Sequence, residues 1–189
     1  MLKFAAEHNL KVGTIADLIA YRRRSEKLVT RLIESTISTQ FAGDFQCIVY
    51  QQSPGYAEHI ALVKNTISKS GPTLVRMHAL DMLHDVLGDT SHGRAGVLQQ
   101  AMRLIDAEGA GVLVLLREPR ATAASDGLKL KRGEEPTIPI LRDYGIGAQI
   151  LLDVGVTDMT LLTNTPKMIV GLEGYGLHIS GHRPIEVAS

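Results

Sequence analysis

The side chains best suited to chemistry crowd into one short stretch of this chain: His78, Asp81, His84, Asp85, Asp89 and His92. Imidazole nitrogens and carboxylate oxygens are the donors that divalent metals take, so the run is a candidate metal site. The plainer alternative is a polar helix and loop near the surface whose histidines are satisfied by water. A second candidate is the turn Thr163-Asn164-Thr165-Pro166, where a predicted strand feeds a predicted helix. Free N–H groups and the helix dipole at such a point attract anions, although a merely capped loop has the same composition. A third, Arg142-Asp143-Tyr144, stands at the start of a helix and taken alone reads as a charged entry turn. Thiol chemistry is confined to Cys47, so neither an internal disulfide nor a cysteine zinc finger can form.

The elements that must position these residues are legible in outline. With 189 residues, 44% hydrophobic and 21% charged, the chain can bury a core unaided, which excludes the disordered and disulfide-scaffold classes. Twenty basic residues balance twenty acidic ones, so nothing marks a general polyanion or anionic-membrane binder. Tryptophan is absent and aromatics are 4%, a poor basis for stacking single-stranded nucleic acid. Apolar runs such as Gly111 to Leu116 fall far short of the roughly 20 residues that cross a bilayer. The opening Met1 to His8 has no secretory pattern, and with one cysteine a cytoplasmic location is expected.

The first thirty residues read as helical, with Thr14 and Asp17 as a weak capping box, Ile15, Leu18 and Ile19 at helical spacing, and a basic tail at Tyr21 to Arg24. That tail reads as a solvated helix face, with an anion site as the alternative. Strand periodicity begins at Phe45. Phe45–Tyr50 and Ile60–Val63 flank Ser53-Pro54-Gly55 as a hairpin, and Thr73–Met77 is a third strand. Val97, Ala101, Leu104 and Ile105 mark an amphipathic helix ending at Gly109, before a strand at Val112–Leu116. Residues 121–139 are polar and read as an exposed loop. A helix over 145–153 is expected to stop at Gly155. It is followed by a strand at Met159–Thr163, a short helix from the Asn164-Thr165-Pro166 turn through Leu172, and a strand at Leu177–Ser180. This series predicts an α/β fold with parallel pairs. The earlier hairpin makes it a mixed sheet or partial barrel with flanking helices.

Two segments are distinctive as sequence. Leu141-Arg-Asp-Tyr-Gly-Ile-Gly-Ala-Gln-Ile-Leu151, and Leu161-Leu-Thr-Asn-Thr-Pro166 followed by Gly171-Leu-Glu-Gly-Tyr-Gly176, resemble the GTP cyclohydrolase II family of riboflavin synthesis. Weaker similarity runs through Leu74–His78 and Gly111–Arg117, and Thr14–Arg24 resembles the closing helix of 3,4-dihydroxy-2-butanone 4-phosphate synthase. The resemblance implies that residues 1–30 are the tail of such a synthase domain with a linker. Residues 31–189 would then be a GTP cyclohydrolase II-like domain, with a fused or associated synthase as partner, GTP or phosphate as ligand, and a homodimer as the assembly.

The family's zinc is held by three cysteines spaced C-x10-C-x-C, and the water it activates opens the guanine ring. Here those positions are Asp81, His92 and Arg94. Arg142 matches the family's nucleophilic arginine, but the proton acceptor two residues earlier is replaced by Ile140. The nucleotide-binding lysine aligns with Met168, beside Lys167, and the phosphate segment is reduced to Arg117-Glu-Pro-Arg120. What the resemblance leaves is a vestigial Arg142 and nucleotide or phosphate contacts at Arg76, His78, Thr163 and Lys167. It implies no cofactor where the family takes zinc, and a scaffold or regulatory domain without turnover. Two alternatives stand beside it. One is an active metal-dependent enzyme using Asp81, His92 and His78 or His84, which would release formate and pyrophosphate. The other is a module that binds a nucleotide or phosphate without turning it over.

Overall fold

The computed structural model describes residues 2–13, 21, 26–53, 57–67, 71–91, 94–118, 120–135, 144–165, 172 and 175–187. The short helix α1 spans Leu2–Glu7. The strands are β1 (Val29–Thr39), β2 (Gly43–Gln52), β3 (Glu58–Lys64), β4 (Thr73–Ala79), β5 (Gly111–Leu116), β6 (Asp158–Leu162) and β7 (His178–Arg183). Three longer helices interleave with them: α2 (Val97–Glu108), α3 (Ala123–Lys131) and α4 (Tyr144–Asp153). All seven strands form one sheet in the order β1-β2-β3-β5-β4-β6-β7. β1, β2, β3 and β5 pair antiparallel, whereas β5, β4, β6 and β7 pair parallel. The expected mixed sheet with flanking helices is what forms.

Side-chain alternation along the strands divides the core between the two faces. On β5, Val112 and Val114 join Ile48, Tyr50, Val75 and Leu161 beneath Ile146, Ile150 and Leu151 of α4. Leu113 points the other way and joins Phe45, Leu62, Leu74 and Leu162 beneath Ala101, Met102 and Ile105 of α2. Helices on both faces explain why β5 is an unbroken apolar run.

α4 ends as its sequence announces. Gly155 has φ +92°, its N–H reaches the Leu152 carbonyl at 3.0 Å, and the Val156 N–H reaches Leu151 at 2.9 Å. This is a Schellman termination, and Val156 is fully buried against it. One polar clamp ties α4 to the hairpin. The Tyr50 hydroxyl donates to Asp153 Oδ2 at 2.7 Å, and Arg31 Nε donates to the same oxygen at 3.1 Å. Burial, with the Asp153 carboxylate beside it, pushes the Tyr50 hydroxyl far above its ordinary range.

Two expectations are corrected. Residues 121–139 are not wholly a loop, because Ala123–Lys131 is helix α3, stopped where Gly133 takes φ +75°. β1 also begins at Val29, inside the segment read as helical. It escaped notice because its residues are exposed on both faces, which leaves no hydrophobic alternation to read. The expected helix over 14–24 lies outside the described residues except for Tyr21, which is helical, and the short helix at 164–172 lies largely outside them. Among the described residues no helix is long and apolar enough to cross a membrane.

Candidate functional site

The retained residues gather where β4, β5 and β6 end in parallel, the position at which open α/β sheets commonly bind ligands. Arg76 on β4 donates through Nη1 to the Leu162 carbonyl at the end of β6, at 2.9 Å. Its Nη2 lies 3.3 Å from His78 Nδ1. A guanidinium can only donate, so Nδ1 accepts and the opposite Nε2–H donates to Asp85 Oδ2 at 2.8 Å. Both His78 nitrogens are therefore committed inside the protein. The His78 and Asp85 side chains are 3% and 2% exposed.

Asp85 sits on a five-residue π-helical turn, Met82–Val86, that follows β4. Its Oδ2 also accepts from the Asp81 N–H at 2.8 Å, and its carbonyl accepts from Gln99 Nε2 of α2 at 3.3 Å. Burial alone would push its carboxyl up. The hydrogen bonds from His78 and the Asp81 N–H, with the positive charge of Arg94, outweigh burial and hold it below the ordinary range. Asp81 caps the turn, its Oδ1 accepting from the N–H groups of Leu83 at 2.9 Å and His84 at 3.4 Å. His84, 6% exposed, donates from Nδ1 to the Asp89 carbonyl at 2.9 Å. Lys131 of α3 pairs with Asp89. His78 and His84 are therefore not surface groups satisfied by water but are buried and bonded to protein.

These facts decide how well the site fits a zinc. A catalytic zinc needs three protein donors converging on one point with a fourth position open. Asp81 has one oxygen committed as a helix cap, and Arg94 is an exposed permanent cation. His92 lies outside the described residues. Both nitrogens of His78 are taken up by Arg76 and Asp85 in this arrangement. Among the described residues no three His, Cys, Asp or Glu side chains come together as a ligand set. Of the three positions with the family's cysteine spacing, the two that are described, Asp81 and Arg94, do not fit the ion.

The residues at which the resemblance implies phosphate contacts are similarly engaged where they are described. Arg120 is gripped by Glu118, with Nε 2.9 Å from Oε1, and by Asp126, with Nη1 3.2 Å from Oδ2. Asp126 is fully buried at the start of α3 and also accepts from the Thr122 hydroxyl at 2.9 Å. The Thr163 hydroxyl accepts from the Thr165 N–H at 3.1 Å, while Asn164 exchanges two bonds with Ile185, at 2.9 and 2.7 Å. The turn is thus a bonded cap in its described part. Arg142, Ile140, Lys167 and Met168 lie outside the described residues. Sequence reasoning missed Asp126. Its signal was present in the helix formers Ala123-Ala124 at the start, Lys129 and Lys131 in the last turn, and Gly133 as the stop.

Comparison with known proteins shows what the chain is similar to. The chain is 40% identical over 200 residues to the riboflavin biosynthesis protein RibBA of Bacillus mycoides (strain KBAB4), covering 99% of this chain and 50% of that protein. It is 42% identical over 191 residues to the monofunctional riboflavin biosynthesis protein RIBA 2, chloroplastic, of Arabidopsis thaliana, covering 97% of this chain and 40% of that one. Among solved structures it is similar to RibBX of A. baumannii, described as a two domain 3,4-dihydroxy-2-butanone 4-phosphate synthase. The TM-score is 0.59 at 31% identity, covering 98% of this chain and 48% of that chain. The chain therefore spans half or less of the length of these relatives. The family model for GTP cyclohydrolase II matches residues 30–184, from the first residues of β1 through β7, and the chain belongs to that family.

Proposed function

We propose that this chain is a GTP cyclohydrolase II domain of riboflavin biosynthesis that no longer turns over GTP. It acts as a scaffold or regulatory domain for a 3,4-dihydroxy-2-butanone 4-phosphate synthase, fused or associated, with residues 1–30 as the tail of that partner and its linker. The observation that carries the reading is the fate of the metal positions: Asp81 caps a π-turn and Arg94 presents a guanidinium. A metal-activated water has its pKa lowered from 15.7 to about 7, and ordinary water in its place is a far weaker nucleophile at neutral pH. Ile140, where the family has its proton acceptor, removes help commonly worth about 10²–10⁴-fold. The likeness to a two-domain synthase over the whole of this chain supports the scaffold role.

The test incubates the purified protein with GTP in the presence of zinc or magnesium and measures formate and pyrophosphate. We expect neither product. Release at roughly 1 per second or faster, an ordinary enzymatic rate, would sink the reading and send the search for a metal to His84 and His92.

A further inference from the structure

Arg76 meets β6 at its last residue, Leu162. The opposite end of β6 carries a second polar cluster, which the proposed function leaves unused. β6 begins at Asp158 and β7 at His178, and these two residues are partners across the parallel ladder. The register then shifts. Ile179 pairs with Met159 but Gly181 pairs with Thr160, so Ser180 is an extra residue on β7. A bulge of this kind re-aims a side chain, and the Ser180 hydroxyl donates to Asp158 Oδ1 at 2.5 Å. His178 Nδ1 lies 3.1 Å from that same oxygen and 3.1 Å from Ser180 Oγ. The His178 and Asp158 side chains are 71% and 41% exposed. An imidazole nitrogen, a carboxylate oxygen and a hydroxyl oxygen thus form a triangle that is open to water and carried by two strands.

We propose that His178, Asp158 and Ser180 form one face of an octahedral site for a divalent transition-metal ion of the zinc and cobalt class, completed by water. The size of the triangle selects the geometry. At metal–donor distances of about 2.0–2.2 Å, donors at right angles stand about 3 Å apart and tetrahedral ones about 3.4 Å. Both edges at His178 match the right-angled value. The shorter edge is a hydrogen bond, and it opens when the hydroxyl turns a lone pair toward the ion. Imidazole favours zinc, cobalt or nickel over calcium or magnesium. The ion takes the Nδ1 lone pair and leaves the ring proton on Nε2, toward solvent. The donors are held from behind: the His178 N–H donates to the Thr157 carbonyl at 2.8 Å, and Ile179 packs on the core. Asp81 and Arg94 follow the far end of β4, which runs parallel to β6, so this site is separate from the family's metal positions. A bound ion fastens the edge strand β7 to β6 across the bulge.

The experiment titrates the whole chain with Co²⁺ and follows backbone amide signals by nuclear magnetic resonance, since a paramagnetic ion broadens the signals nearest to it. We expect saturable broadening in the sub-millimolar range, centred on residues 157–160 and 177–181 and reversed by added Zn²⁺. His178→Ala should abolish it there, and Ser180→Ala, which removes a single oxygen, should weaken it severalfold. His182→Ala serves as the control. His182 is the partner of Leu161, whose side chain lies in the core beneath α4, so it belongs to the other face and its loss should change nothing. All three altered side chains are exposed, and circular dichroism confirms that each variant is folded. Absence of broadening at these residues up to millimolar Co²⁺ would overturn the proposal. So would broadening that survives His178→Ala, or a Ser180→Ala response equal to that of the unaltered chain.

Discussion

Asp85 holds three groups at once: the His78 ring, the Asp81 N–H and, through its carbonyl, Gln99 of α2. Its carboxyl lies below the ordinary value of 3.8 in the folded state. The stability it contributes is therefore complete above that value and is lost as pH falls through the lower, folded one. Asp85→Asn keeps an acceptor for His78 but loses the charge. We expect a loss of about 1–3 kcal/mol at neutral pH and a shallower fall in stability below about pH 4, read from urea midpoints across the acid range. An unchanged acid limb would show that the charge at 85 is not what the fold depends on there. Arg120 and Asp126 follow the same logic of mutual satisfaction. A cation at the end of β5 that already faces two carboxylates has little attraction left for a phosphate.

The elements show where a sheet tolerates no added atom. Gly111 opens β5, and a Cβ there would stand 2.6 Å from the Leu74 carbonyl oxygen and 3.0 Å from Ile105 Cγ2. Because main chain must move, Gly111→Ala should cost about 3 kcal/mol, high in the range for overpacking. Gly109→Ala, at φ +81° in open space, should cost only about 1–2 kcal/mol of left-handed backbone. Equal costs in chemical denaturation would refute this account of β5. These elements also show what sequence can and cannot reveal. The β2–β3 hairpin, α2 and the Gly155 stop were legible because each buries one face or ends on a glycine. β1 was not, since a strand exposed on both faces has no period, and α3 was hidden because its one fully buried side chain is a carboxylate. At the site the residue types were legible as a cluster, but their roles were not. Spacing alone cannot tell a metal ligand from a helix cap, and only the β4 geometry shows that Arg76 and Asp85 occupy both sides of His78.

At the scale of the molecule, the sheet joins an antiparallel half, in which β1, β2 and β3 are neighbours in sequence, to a parallel half that needs helical crossovers. The clamp of Tyr50 and Arg31 on Asp153 binds the two halves across more than a hundred residues of chain. β5 lies between β3 and β4 in the sheet, although both precede it in sequence. As the chain is made, β1, β2 and β3 can zip by local turns. β3 then keeps one unpaired edge and β4 two, until β5 inserts between them and β6 pairs on the far side of β4. Local contacts close fast and non-local ones slowly, so we expect amides of β1 and β2 to gain protection from hydrogen exchange before those of β4 and β6. Pulse labelling during refolding reads that order, and simultaneous protection of all strands would refute it. The same insertion sets a limit on handling the protein. Until β5 closes the gap, the unpaired edges of β3 and β4 are open to any neighbouring chain, so yield on refolding should fall as concentration rises.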